Sequence, residues 1–524
     1  MKKRIVGWVL AALGVAVGAQ GAELRVGFKS EVSSGDPHVF QAFNRNVWLH
    51  VYEALVARDK DLKAAPGLAL EWRATDRITW IFKLRPNVTF HDGSSFAAED
   101  AKASLDRAMA MPGARTYRPY LRDVEAIKVV DPLTLQITTK VPSPTLPDNL
   151  SLIAMLPRSM VKAPEQSFAG GQSNIGTGPY RFVEFAHGQR VVLARNDKYW
   201  GAKEPWEKVT FQFIPKDPAR ASALLSGSVD VIDNVSANLD NLLASGKFER
   251  SAATSYMLNY IGFDVFRAQS PFVLDDQGQK MAANPLSNPK VRQALALAVN
   301  RDLIVRAVMK GDATPTGQIV PAGFFGHDPA LAPPAAAPAK AKALLAEAGY
   351  PKGFHLSLHC PNDRYSNDAK VCEAVGQMFT RIGVVTDVQT LPFAVFAPKS
   401  SGSATEEPAY SAWMIGIGAV TGDSLQPLIA TVASFDPKAG LGANNSGRYS
   451  NSEVDALIMK AAQSMNPVER EQSQREAARL LAADVGVLPL YNLKAVWAYR
   501  RGLSVMPRAD GFTFAMGIRE GSAK

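Results

Sequence analysis

Cys360 and Cys372, in the stretch LHCPNDRYSNDAKVCEA, are the only sulfhydryl groups in a chain of 524 residues. In an oxidising compartment two such cysteines most simply form one disulfide across a short loop. The competing chemistry is metal ligation, with His355 and His359 standing beside Cys360. In FHLSLHC, however, Phe354, Leu356, Leu358 and Cys360 alternate with His355, Ser357 and His359. That is the period of a half-buried strand with one polar face, so a disulfide is expected and a metal site is not.

Other chemistry leaves little signature. A phosphate loop needs Gly-Lys followed by Ser or Thr, whereas Gly246 and Lys247 precede Phe248. The glycine-rich GIGAVTG at 416–422 is one residue too long for a dinucleotide fingerprint, and it reads instead as backbone that must come close to something. There is no Gly-x-Ser-x-Gly elbow and no His-Glu-x-x-His. Histidines at 38, 50, 91, 187, 327, 355 and 359 leave a Ser-His-Asp arrangement open without supporting one. No cofactor is implied.

These residues must be positioned by a chain longer than one hydrophobic core usually organises, so two or three domains are expected. Hydrophobic residues at 47 % and charged residues at 20 % describe a globular composition. Lys2, Lys3 and Arg4 precede an apolar run and then small residues up to Ala22, the pattern of a secretory signal peptide over 1–22. The apolar run is too short to span a membrane, and no cysteine lies near residue 22 to carry a lipid. An exported, untethered protein is expected. The net charge of +9 loses three units with the leader and is spread without Lys/Arg runs, which argues against nucleic acid.

Along the chain, AELRVGF, LTLQITTK, GPYRFVEF, RVVLARN and KVTFQFI read as strands. A helix is expected after Ser95, with Glu99 and Asp100 in its first turn, and PARASALLSG and NPKVRQALALAVNRDLIVRAVMKG read as helical. Pro338 and Gly349 bracket another helix. Asn466, Pro467 and Glu469 announce a further one through a capping box. KSSGSATEEPA reads as a polar, mobile loop. The fold class is mixed α/β.

Several stretches together resemble the periplasmic solute-binding proteins of peptide and nickel ABC importers, solute-binding protein family 5. The longest is LALEWRATDRITWIFKLRPNVTFHDGSSFAAEDAKASLDRA at 68–108. GTGPYRF, RNDKYWG, VRQALALAVNRDLI, AKALLAEAGY and YSNSEVDALI follow in family order along the mature chain. The resemblance implies a two-lobed α/β fold with a ligand cleft between lobes: a first lobe at 23–58 and 177–265 with an inserted subdomain at 59–176, a second lobe at 266–487, and a return to the first lobe at 488–524. It implies a receptor, not an enzyme, that is monomeric and delivers a peptide or peptide-like solute to a membrane permease. An opine, a phosphorylated or glycosylated small molecule, or a metal chelate are alternatives within the class, and a secreted hydrolase is the rival outside it.

By the same resemblance, SEVSSGDPH at 30–38 flanks the ligand and offers Glu31, Val32, Ser33 and Ser34 as contacts. Ala419, Val420, Thr421 and Gly422 form the second flank, and Asp423 binds the ligand's amino group as an otherwise unpaired carboxylate. Arg364 and Tyr365 approach the ligand carboxylate on a loop stapled by the disulfide. Ile417 stands where the family often has tryptophan. Trp72, Trp80 and Trp200 are expected in cores, and His91-Asp92-Gly93 in a turn.

Overall fold

A computed structural model describes residues 22–113, 115–235, 245–402 and 406–521, so the leader expected at 1–22 lies outside the described residues but for Ala22. The chain opens in β1 (Glu23–Phe28) and passes through a hairpin of β2 (Val56–Arg58) and β3 (Ala64–Pro66). It then builds a separate antiparallel sheet in the order β4 (Ala69–Ala74), β5 (Thr79–Leu84), β7 (Thr134–Thr139) and β6 (Val124–Asp131). The strands β8 (Tyr180–Ala186), β9 (Arg190–Arg195), β10 (Lys208–Phe213) and β11 (Val231–Ile232) rejoin β1.

Next comes β12 (Phe248–Phe263), 16 residues long, followed by β13 (Val273–Leu274), β14 (Ala313–Pro315), β15 (Phe354–Pro361), β16 (Val384–Leu391) and β17 (Ala412–Gly418). The chain returns in β18 (Leu488–Arg500), β19 (Leu503–Val505) and β20 (Ile518–Glu520). The large sheet runs β13-β15-β17-β12-β18-β11-β1-β10-β9-β8, with β14 on β18 and β16 on β15. Its centre is the antiparallel pair β12 and β18, which reaches from one half of the molecule into the other.

Separate apolar cores sit on either side of that pair. One gathers Leu24, Val26, Trp206 and Phe211 with Trp497, Ala515 and Ile518 from the returning chain. A second, around Leu286, Leu295, Phe354, Leu358 and Phe379, lies under β15. A third, holding Phe82, Leu105, Ile137 and Trp80, belongs to the four-stranded sheet, and Trp72 and Trp200 pack against it as expected.

Local signals decide several element ends. The helix Ala98–Ala110 starts with Asp100 accepting the Ala97 N–H at 3.0 Å. Asn466 caps Pro467–Asp484 by accepting from Val468 and Glu469, but the box does not close: Glu469 takes the Ser464 hydroxyl at 3.0 Å instead. The stretch at 288–311 breaks after Ala298, because Asn288 and Asn300 each cap a helix of their own. KSSGSATEEPA is not wholly loop, since Phe393–Ser401 is helical and the Lys399 carbonyl accepts the Ala409 N–H; residues 403–405 lie outside the described residues. His91, Asp92 and Gly93 form a turn, Gly93 at φ +89°. Among the described residues no helix is long and apolar enough to cross a membrane.

The returning chain is held to the first core by His50. Its Nδ1 donates to the Val47 carbonyl at 2.9 Å and its Nε2 accepts the Ala515 N–H at 2.9 Å, which only the neutral ring can do. Burial lowers its pKa to about 4, against about 6.5 in an unfolded chain. Because the folded value is the lower one, the His50 contribution is complete above pH 6.5 and is lost as pH falls towards 4. In urea titrations at pH 7, 6 and 5, His50→Gln should lose less stability per pH unit than the parent, by up to about 1.4 kcal/mol. Parallel pH profiles would show that His50 does not carry this dependence.

Candidate functional site

The site begins with a fault in the central ladder. β12 and β18 pair regularly from Phe248–Arg500 to Thr254–Lys494, then resume at Leu258–Asn492, so Ser255, Tyr256 and Met257 face only Leu493. Extra residues on one strand bend it and re-aim a side chain. Here they turn Tyr256 into the space between the two halves, where its N–H is fixed by the Ala509 carbonyl at 3.0 Å.

Two cavities of about 330 and 390 Å³ meet there, and both are lined by Phe40, Tyr256, Asp510 and Phe512. The first is largely apolar, reaching Tyr52 and Phe514, with Arg45, Arg58 and Arg508 on its wall. The second carries Lys29 and Asn46 from the first half and Arg364, Tyr365 and Ser366 from the second. Volumes of this size suit a small ligand.

The glycine stretch at 416–422 explains how two tyrosines fit. A Cβ on Gly416 would stand 2.8 Å from the Tyr365 hydroxyl, and one on Gly418 would stand 2.3 Å from the Tyr256 ring. The Gly416 N–H donates to the Tyr365 hydroxyl at 2.8 Å. The close approach read from the glycines is therefore to the site's own aromatic side chains.

Cys360 and Cys372 are bonded to each other, and both are fully buried. The bridge joins the end of β15 to the helix Asp368–Arg381, with Arg364 and Tyr365 on the loop between. Asp368 closes the same loop by accepting both the Arg364 and Tyr365 N–H groups at 3.0 Å. Metal ligation by Cys360 is thereby removed. His359, expected on a polar face, is buried and stacks on Tyr410 at 4.1 Å between ring centroids. No cluster of three or more His, Cys, Asp or Glu among the described residues could hold a metal ion.

Charges in the cleft divide into paired and unpaired. Arg508 is bidentate to Asp510, at 2.7 and 3.1 Å, and Arg58 binds Asp148 at 2.8 Å. Glu53 accepts from the Tyr199 hydroxyl and the Trp200 indole, and burial raises its pKa, as it does for Glu204. Arg45 and Arg364 form no ion pair among the described residues. Arg45 lies 5.7 Å over the Phe512 ring, with a buried Nε that has no hydrogen-bond partner, and Arg364 lies 4.8 Å over Phe393. Both charges act on the Tyr256 hydroxyl, whose pKa burial nevertheless raises to about 12.

Asp423 corrects an expectation. Its carboxylate is not free for a ligand amine: Oδ2 is paired with Arg470, and Oδ1 accepts from Gln474 Nε2 at 3.0 Å and Leu425 N at 2.8 Å. With Thr421 and Gly422 it lines a separate cavity of about 320 Å³ bounded by Arg58 and Asp148. Val420 is the member of this flank that reaches the first cleft cavity, whereas Ala419 is buried in a core. Glu31, Val32, Ser33 and Ser34 line neither cleft cavity. Val32 is in the first core, Ser33 N–H donates to Asn44, Ser34 Oγ donates to Glu165 at 2.8 Å, and Glu31 is exposed near Gly188. Trp413 points into an aromatic cluster with Phe396 and Tyr410.

Arg45, Tyr256 and Phe512 carried no sequence signal, being far apart in the chain and in no motif. The one available hint lay in Gly416 and Gly418, which report a close neighbour without naming it. Replacing Asp423 with Asn leaves a buried Arg470 cation without its partner, and should cost about 3 kcal/mol of unfolding free energy in urea. A variant as stable as the parent would mean that Arg470 finds another anion or water.

Comparison with known proteins gives the geometry its family. The family described as bacterial extracellular solute-binding proteins, family 5 Middle, matches residues 63–438. A curated relative, glutathione-binding protein GsiB of Pectobacterium atrosepticum, is 30% identical over 500 residues, 93% of this chain and 92% of that protein. Among solved structures, the substrate binding protein CtaP of Listeria monocytogenes superposes with a TM-score of 0.82 at 20% identity, covering 95% of this chain and 99% of that one. The periplasmic binding protein DppA of Helicobacter pylori, in complex with the peptide STSA, superposes at 0.75 and 21% identity, covering 95% and 98%. The two cores on a shared strand pair, the cleft between them and the match along most of the chain make this protein a member of the family 5 bacterial extracellular solute-binding proteins, receptors of ABC importers.

Proposed function

We propose that the protein captures a short, anionic, peptide-like solute in the periplasm, as an untethered monomer, and hands it to an inner-membrane permease. The observation that carries this reading is the pair of guanidinium groups, Arg45 and Arg364, that come from the two halves and meet no carboxylate among the described residues. Arg45 is half-buried, where an arginine that lacks an acid is costly unless an anion arrives; Arg364 is exposed, and on both the guanidinium fork suits a carboxylate. The acids of the same cleft offer a ligand cation little. Asp510 is taken by Arg508, and Glu53 and Glu204 are pushed towards the neutral form.

GsiB is named for glutathione, a tripeptide with a carboxylate at each end, and a two-headed acid of that kind matches two cations on opposite walls. We place the hinge at the break between Thr254 and Leu258, with residues 23–265 and 488–524 in one lobe around the subdomain at 59–176, and 266–487 in the other. The hydrolase alternative gains nothing from the buried histidines. His38, His50 and His91 spend ring nitrogens on backbone groups.

Calorimetric titration with reduced glutathione tests the reading. The parent should bind, and Arg364→Ala and Arg45→Ala should each weaken binding roughly 10- to 100-fold, equivalent to about 1.5–3 kcal/mol. Raising salt should affect the parent more than either variant. Equal affinities in all three proteins, or tighter binding of a neutral dipeptide amide than of glutathione, would refute the anionic reading.

A further inference from the structure

The boundary between the two cleft cavities is made by four residues from three separate parts of the chain: Phe40 ahead of the helix Ala42–Trp48, Tyr256 at the ladder fault, and Asp510 and Phe512 in the returning segment. Phe512 is the one most firmly set. Its N–H donates to Asp510 Oδ1 at 2.9 Å, the next residue's N–H donates to Asn46 Oδ1 at 2.8 Å, and the Thr513 hydroxyl accepts from the Trp497 indole at 2.7 Å. The residue is 7% exposed, and its ring packs 6.1 Å from Phe514 and carries Arg45 above it. A buried ring packed against another, on a backbone fixed at both ends, does not swing aside at small cost.

We propose, taking the cleft as the ligand site, that the Phe512 ring, with Phe40 and Tyr256, forms a waist that admits only solutes with a slim centre. A solute that reaches Arg45 in one cavity and Arg364 in the other must cross this waist. Its two ends have cavities to fill, whereas its middle passes between rings. Phe512 is thus a specificity-determining residue: it discriminates by the bulk of the central side chain, not by the charge at the ends. The same ring seats Arg45, so its removal should also weaken all anions alike, and the readout must be a ratio.

The probes are reduced glutathione and S-hexylglutathione, together with the tripeptides Asp-Ala-Asp and Asp-Trp-Asp, titrated into the parent, Phe512→Ala and Phe512→Leu. The parent should favour the slim member of each pair. In Phe512→Ala that preference should fall by about tenfold or more, because the space of a ring is opened to the central group. Phe512→Leu, which keeps bulk but loses the face under Arg45, should keep the parent's ratio while binding every probe more weakly. An unchanged ratio in Phe512→Ala overturns the waist, as does a ratio that falls equally in Phe512→Leu. If no probe binds the parent, it is the anionic reading that fails; the waist is then judged by extracting the small molecules retained by the parent and Phe512→Ala expressed in the same cells. Bulkier molecules in the variant support it, and identical or absent retained sets in both proteins reject it.

Discussion

The long pairing of β12 with β18 is the constraint on which the molecule depends. β18 belongs to two cores at once, Leu488 and Leu490 in one and Trp497 and Tyr499 in the other, and β12 pairs along it with Ile261 and Phe263 in the first of these, so each half is tied to the other by ladder hydrogen bonds and not only by surface contact. Such a pair cannot be severed without opening the backbone to water, but it can bend where its register already fails. The fault at 255–257 therefore does two things together. It marks the place proposed as the hinge, and it points Tyr256 into the cleft.

Charge in a partly dry cleft is governed by pairing, because an unpaired ion loses its hydration and gains little in return. The protein answers this locally with Arg508 on Asp510, Arg58 on Asp148, and Arg470 on Asp423. Arg45 departs from that rule, half-buried on an aromatic face instead of an acid, and Arg364 lies exposed over another ring. A ring face supports a guanidinium weakly and leaves donors at its edge, of which Arg45 spends one on the Ser151 carbonyl at 3.5 Å. The cleft thus retains two cations in a form that an incoming anion can use.

The loop bearing Arg364 and Tyr365 illustrates how such precision is held. Three constraints converge on it: the disulfide at its base, the Asp368 carboxylate on its two N–H groups, and the Gly416 N–H on the tyrosine hydroxyl. Each removes freedom that would otherwise have to be lost on binding. Gly416 and Gly418 complete the arrangement by yielding space that any side chain would occupy.

What the sequence by itself determined was local. Alternation in FHLSLHC, the cap at Asn466, the stop at Gly349, and the pairing of two lone cysteines are settled by neighbours within a few turns of chain, where short-range sterics and hydrogen bonds dominate. The family was legible too, because its long stretches recur in order. What only the tertiary structure decided was how distant residues share charge and space. Asp423 looked free until Arg470 and Gln474 arrived from another helix, and His359 looked solvent-facing until Tyr410 covered it. The aromatic boundary of the cleft draws on residues 40, 256 and 512, whose only relation is that the paired central strands and the returning segment bring them together. No periodicity encodes such a meeting, since it arises from the packing of whole elements and not from the spacing within any one of them.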